Sequence, residues 1–134
     1  MARRRRRTVA TASTALGMGD FAALGPAKIA AVGAALDAAC AAIGRDPSTI
    51  VRSAMVGTLM GRDAAEVKRR ETALLKAFDD GGGDDWLEER RDRWIIGTPD
   101  EARATVRRFA DAGVERLMLQ DFLPWDLEMV DVMG

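Results

Sequence analysis

Apolar residues return every three or four positions along Pro26 to Ile43, where Ile29, Val32, Leu36, Ala39, Cys40 and Ile43 form one stripe. That spacing predicts a helix, stopped by Gly44. A turn over Gly44-Arg45-Asp46-Pro47-Ser48 leads into Ile50 to Met60, where Val51, Ala54, Met55, Val56, Leu59 and Met60 predict a strand and the polar Arg52 and Ser53 interrupt its start. Asp63 and Glu66 then stand at capping-box spacing, and Val67, Leu74, Leu75 and Phe78 give one apolar face to a helix over about residues 64–78. Trp86 to Arg93 reads as a short helix, and Trp94, Ile95 and Ile96 begin the next strand.

The clearest stretch runs from Ile95 to Gln120. Thr98 can cap a helix, Pro99 occupies the first helical position where its missing N–H costs nothing, and Glu101 completes the capping spacing. Gly113 supplies the stop. Val114, Leu117 and Leu119, with Met118 between them, read as a mostly buried strand of a helix-covered parallel sheet. A loop at Asp121-Phe122-Leu123-Pro124-Trp125 and a last short helix over Asp126 to Met133 come next, with Trp125, Leu127 and Val130 expected to cover the sheet. The fold class is therefore α/β.

Composition narrows the chemistry. The chain has 134 residues, enough for one modest domain but short of the ~250 typical of a closed eight-unit barrel. Twenty basic and twenty-one acidic residues nearly cancel, so no overall field steers nucleic acid or anionic substrates. The absence of histidine closes the imidazole routes to acid–base catalysis and zinc binding, and to Ser-His or Cys-His nucleophile activation. The single cysteine, Cys40, excludes an internal disulfide and lies on an apolar stripe as a small hydrophobe.

Residues 1–25 differ from the rest. Arg3 to Arg7 is unbroken and is followed by an uncharged stretch, Thr8 to Met18. Thr8, Thr11, Ser13 and Thr14 make that stretch too weak for an export signal, so a disordered basic tail on a cytoplasmic protein is expected. No apolar run approaches the ~18–20 residues that cross a bilayer, so no membrane partner is expected. Lys68, Arg69, Arg70 and Lys76 alternate with Glu66, Glu71, Asp79 and Asp80, the pattern of a solvated face rather than a nucleic-acid surface. Asp79 to Asp85 is an acidic loop with Gly81, Gly82 and Gly83 where calcium ligands would have to stand, so no metal site is assigned. Trp125 could stack on a flat cofactor, but packing is the expected role.

Three segments, in this order and spacing, carry a resemblance: Cys40-Ala41-Ala42-Ile43-Gly44-Arg45-Asp46-Pro47-Ser48-Thr49-Ile50, Ile96-Gly97-Thr98-Pro99-Asp100-Glu101, and Phe109-Ala110-Asp111-Ala112-Gly113-Val114-Glu115-Arg116-Leu117-Met118-Leu119-Gln120. Together they resemble the carboxy-terminal third of luciferase-like monooxygenases, which are flavin- or F420-dependent oxidoreductases. The likeness runs from about Ile29 to Gly134. It implies a partial TIM barrel, the last β/α units of a (β/α)8 barrel, with FMN or coenzyme F420 as the family cofactor and a small molecule as substrate.

The family's histidine and arginine contributions to the ring pocket come from earlier strands that match nothing here, so no catalytic residue is assigned and activity by this chain alone is not expected. What the resemblance carries over lies at the carboxyl ends of the barrel strands, where such folds place their sites. These positions are Gly57 and Thr58 after the strand from Ile50, and Gln120 and Asp121 after the last strand. Gly97 and Thr98 precede a helix whose free N–H groups could hold a phosphate, although capping by Thr98 and Glu101 competes for them. The rival readings are a small non-catalytic α/β module, self-associating as a homo-oligomer or with the missing barrel portion, and a weak nucleic-acid binder acting through Arg3 to Arg7.

Overall fold

The computed structural model of the chain describes residues 8–11, 24–78 and 83–134, the backbone alone for 8–11 and for 83 and 84. In chain order the elements are β1 (Thr8–Thr11), α1 (Pro26–Ala42), a 3-10 turn (Pro47–Thr49), β2 (Ile50–Met60), α2 (Ala64–Ala77), α3 (Gly83–Glu88), β3 (Ile95–Gly97), α4 (Pro99–Asp111), β4 (Arg116–Asp121) and α5 (Leu127–Met133). The Arg3 to Arg7 run and the centre of the acidic loop, residues 79–82, lie outside the described residues.

All the described strands are parallel, and β2 is their common partner. β1 pairs with its first residues (Thr8 with Ile50, Thr11 with Ser53), β4 with its middle (Ser53 with Arg116, Thr58 with Asp121) and β3 with its end (Thr58 with Ile95, Met60 with Gly97). β1 falls inside the segment expected to be a tail, and its backbone extends the sheet instead. The α/β class and the parallel sense read from the sequence are those of the structure.

Local chemistry explains the helix boundaries. An Asp63 carboxylate oxygen accepts the Glu66 N–H at 2.8 Å, and an Asp126 carboxylate oxygen accepts the Met129 N–H at 3.2 Å. Each satisfies a donor that the first helical turn leaves free. α4 ends before Gly113, whose φ of +91° lies in the left-handed region that glycine adopts without a Cβ penalty.

The core gathers around β2, whose Val56 is fully buried, and is completed by Leu59, Leu74, Trp94, Ile95, Phe109, Leu123 and Met129. Four expectations need correction. β4 starts at Arg116 and is largely exposed: Met118 shares a face with Met55 of β2 that leaves both side chains exposed, and a strand is buried on both faces only when both are covered. Val32 on α1 and Ile43 just after it face solvent, while Gly33 is buried where a Cβ would crowd the Arg52 guanidinium, which pairs with Asp37. In the last segment Trp125, Leu127 and Val130 are exposed, and Leu123 and Met129 fill the core instead. Finally, the charged face of α2 is not all solvated: Arg70 and Glu71 are buried between Val67 and Leu74.

Candidate functional site

Parallel pairing with β2 brings the carboxyl ends of β2, β3 and β4 together. Gly57 is in register with Gln120 and Thr58 with Asp121, Met60 is in register with Gly97, and the Gly61 N–H donates to the Gly97 carbonyl at 3.2 Å. Thr98 comes directly after Gly97. Gly57 and Thr58 lie inside β2, and Gln120 and Asp121 inside β4, rather than after those strands as expected; with Gly97 and Thr98 they lie toward one end of the sheet.

Most of them are already engaged. Trp94, which precedes β3, lies directly on Gly57, so that a Cβ at position 57 would overlap the indole ring. Trp94 stacks on Phe122 with ring centroids 4.8 Å apart and planes 4° from parallel, and meets Trp86 edge-on at 5.5 Å. Phe78 completes the group, stacked on Trp86 at 5.9 Å and edge-on to Phe122 at 5.8 Å. The Arg90 guanidinium lies 3.9 Å from the centre of the Trp86 ring, a cation–π contact that covers its face. Trp94 thus covers Gly57 and is itself held by a cluster of three further aromatic side chains.

The polar groups are engaged too. The Thr58 hydroxyl is buried and donates to the Val56 carbonyl at 3.3 Å. Asp121 accepts the Leu123 N–H at 2.7 Å. At the start of α4 the Thr98 N–H and hydroxyl both donate to one Glu101 carboxylate oxygen, at 2.7 and 2.9 Å. These two bonds hold the Glu101 carboxyl below its ordinary value, so an internal anion already occupies the helix start. Gln120 is half-buried, and its amide makes no hydrogen bond among the described residues.

The strongest electrostatic feature of this end is Arg70, which the sequence pattern had placed on a solvated face. Its guanidinium donates to the Met60 carbonyl at 2.8 Å, to Glu66 at 3.0 Å and to both oxygens of Asp126 at 2.8 and 3.2 Å. The Asp126 hydrogen bonds raise the Arg70 pKa and, reciprocally, hold the Asp126 carboxyl below its ordinary value. Nearby, Glu71 accepts from Arg91 at 2.8 Å. The signal was available: residues 67, 70, 71 and 74 keep the spacing of a buried helical stripe, so two charged residues on it required partners. With Glu66, Glu101 and Asp126 all shifted downward, these carboxylates stay ionised at neutral pH and act as acceptors, not as proton donors.

A separate open groove of about 500 Å³ runs between α4, β4 and the end of α5. Met60, Ile95, Ala102, Val106, Leu117 and Leu119 are among its lining residues, and none of the six candidate positions is. Among the described residues no helix is long and apolar enough to cross a membrane.

No protein-family model and no curated protein matches the chain. Among solved structures, an F420-dependent secondary alcohol dehydrogenase, determined in complex with an F420-acetone adduct, is similar with a TM-score of 0.53 at 14% identity. The match covers 93% of this chain and 45% of the dehydrogenase, so the chain spans less than half the length of that protein. At this identity the likeness is one of fold.

Proposed function

We propose that the chain is a relative of the luciferase-like flavin- or F420-dependent oxidoreductases, corresponding to the carboxy-terminal β/α units of their barrel and lacking a complete cofactor site of its own. The observation that supports this most is the fold likeness to the F420-dependent dehydrogenase over 93% of the chain. It agrees with the resemblance of the segments around Gly97 to Glu101 and Phe109 to Gln120. The reading is an oxidoreductase lineage, with FMN or F420 as the cofactor class and an unassigned small molecule as substrate.

The residues present do not fit either ring. Trp94 covers Gly57, the Thr58 hydroxyl and one Asp121 oxygen are spent on backbone groups, and Glu101 occupies the α4 start where a cofactor phosphate would lie. A cofactor pocket needs a preformed cavity with converging free polar groups; of the six candidate positions, only the Gln120 amide and one Asp121 carboxylate oxygen are uncommitted among the described residues. This filling favours a second reading, a non-catalytic α/β module that keeps the ancestral fold. Fluorescence titration of the purified chain with FMN and with F420 tests both. Dissociation constants weaker than ~100 μM, a binding free energy of only about 5 kcal/mol, are expected. Micromolar binding with turnover of a reduced cofactor would restore a working enzyme.

A further inference from the structure

β4 combines an open edge with an apolar centre. Its one described strand partner is β2, and the sequence Arg116-Leu117-Met118-Leu119-Gln120-Asp121 has no proline and no charge in its middle four positions. Natural edge strands are normally blunted by a lysine, a proline or a bulge, because free N–H and C=O groups template pairing with another strand. Here Met118 is 37% and Leu119 48% exposed, and Met55, the register partner of Met118 on β2 and hence on the same face, is 46% exposed.

We propose that β4 is a self-association edge, pairing antiparallel with β4 of a second copy about a twofold axis through Met118. Strand self-complementarity selects the second copy as occupant. A twofold axis normal to the sheet keeps each face on its own side, so residues of like parity oppose one another. With Met118 on the axis, Leu117 stands opposite Leu119 of the second copy and Arg116 opposite Gln120. Leu117-Met118-Leu119 reads the same in both directions, which suits an isologous contact. The neighbouring registers are poorer. Centring on Leu119 sets Leu117 against Asp121, and centring on Leu117 sets Glu115 against Leu119 and Arg116 against Met118. In the favoured register Glu115 meets Asp121 just outside the apolar trio, and these like charges end the pairing. Met55 and Met118 of the two copies then form one row of thioethers across the interface, and the sheet continues from one chain into the next.

Cross-linking and sedimentation of the full chain test this. Directly opposed strand residues have Cα atoms about 4.5–5.5 Å apart, within disulfide range. Mild oxidation of a Met118→Cys variant should therefore give a linked dimer. A Gln120→Cys variant should not, because its two copies would lie roughly 14 Å apart at four residues of strand rise; nor should the wild-type chain, whose Cys40 is buried. The wild-type chain should sediment as a dimer. Met118→Lys, which sets two like charges on the axis, should weaken association by about tenfold or more, while Leu127→Lys on exposed α5 leaves it unchanged. A circular dichroism melt confirms that each variant folds. A monomeric wild type, equal cross-linking at 118 and 120, or dissociation by Leu127→Lys with an intact dimer in Met118→Lys would overturn the proposal. Pairing of β4 with an unrelated strand, seen as a complex without a homodimer, would overturn it as well.

Discussion

At the carboxyl end of β2, aromatic rings and a buried arginine close the structure over the strand, whereas β4, hydrogen-bonded to that same strand, leaves two leucines and a methionine partly in solvent. Both regions descend from the same α/β pattern. The difference lies in the side chains that come after each strand. Beyond β2, the chain supplies Arg70, Phe78, Trp86 and Trp94, long side chains that can fold back over the strand end. Beyond β4 it supplies Phe122 and Leu123 to the core, while Trp125, Leu127 and Val130 face outward. The strand end is thus packed shut by its own side chains, while apolar surface appears at the edge strand.

Removing Arg70 should break the closed end most severely. Its guanidinium is 1% exposed and bridges Met60 on β2 to Asp126 at the start of α5. Arg70→Ala removes a buried donor from the Met60 carbonyl and from Asp126, and taking one partner from a buried pair costs about 3–5 kcal/mol. Asp126 and Glu66 keep some access to water, so the low end, about 3 kcal/mol, is expected from urea unfolding. A loss below about 1 kcal/mol, the scale of an exposed ion pair, would mean that the closed end is held by its aromatic rings alone.

Gly57→Ala probes the aromatic side of the closed end. The added methyl would overlap Trp94, which Phe122 and Trp86 hold in place. Overpacking of this kind costs about 1–3 kcal/mol, and the near-ultraviolet circular dichroism of the indoles should change with it. Unchanged stability and spectrum would show that Trp94 can leave Gly57, reopening the position to a ligand.

The acid limb of stability reads the Arg70 bridge in another way. Asp126 titrates below its ordinary value because Arg70 hydrogen-bonds its charged form. A carboxylate with a depressed folded-state pKa stabilises the fold fully above its unfolded value, and that contribution is lost as pH falls through the folded one. The wild-type chain should therefore lose stability below about pH 4. Arg70→Ala should show a shallower loss over the same range, and equal slopes would remove Arg70 as the cause.

Local signals made much of this fold legible. The bounds of β2 and the start of α4 at Pro99 derive from apolar runs, a cap and a proline, all encoded within a few residues. That the candidate positions share one end of the sheet is a consequence of parallel strands. The occupants of that end are not encoded locally, because Phe78, Trp86, Trp94 and Phe122 meet only after folding. The exposure of β4 was equally hidden: an apolar run predicts burial when something covers it, and periodicity carries no information about the cover. Arg70 and Glu71 were legible, two charges on a buried stripe.

Thr98→Ala separates capping from ligand binding at the α4 start. The hydroxyl bond to Glu101 is lost while the backbone N–H bond remains, so a cost of about 0.5–1 kcal/mol is expected, toward the lower part of the range for a lost cap. Unchanged stability together with lost affinity for a phosphate would assign the position to a ligand instead.

The smallest effect should come from the open edge. Met118 is more than a third exposed and is in register with Met55, itself nearly half exposed. In chain dilute enough to be monomeric, Met118→Lys should stay within about 0.5 kcal/mol of wild type, as surface substitutions do. At high concentration the gap should widen, because only the wild-type chain gains stability from a partner that binds its folded state. Urea midpoints measured across a roughly hundredfold range of concentration give both values. A large loss in the dilute monomer would mean that the Met118 side chain is packed within its own chain, and the contrast between a closed strand end and an open edge would fail at its exposed half.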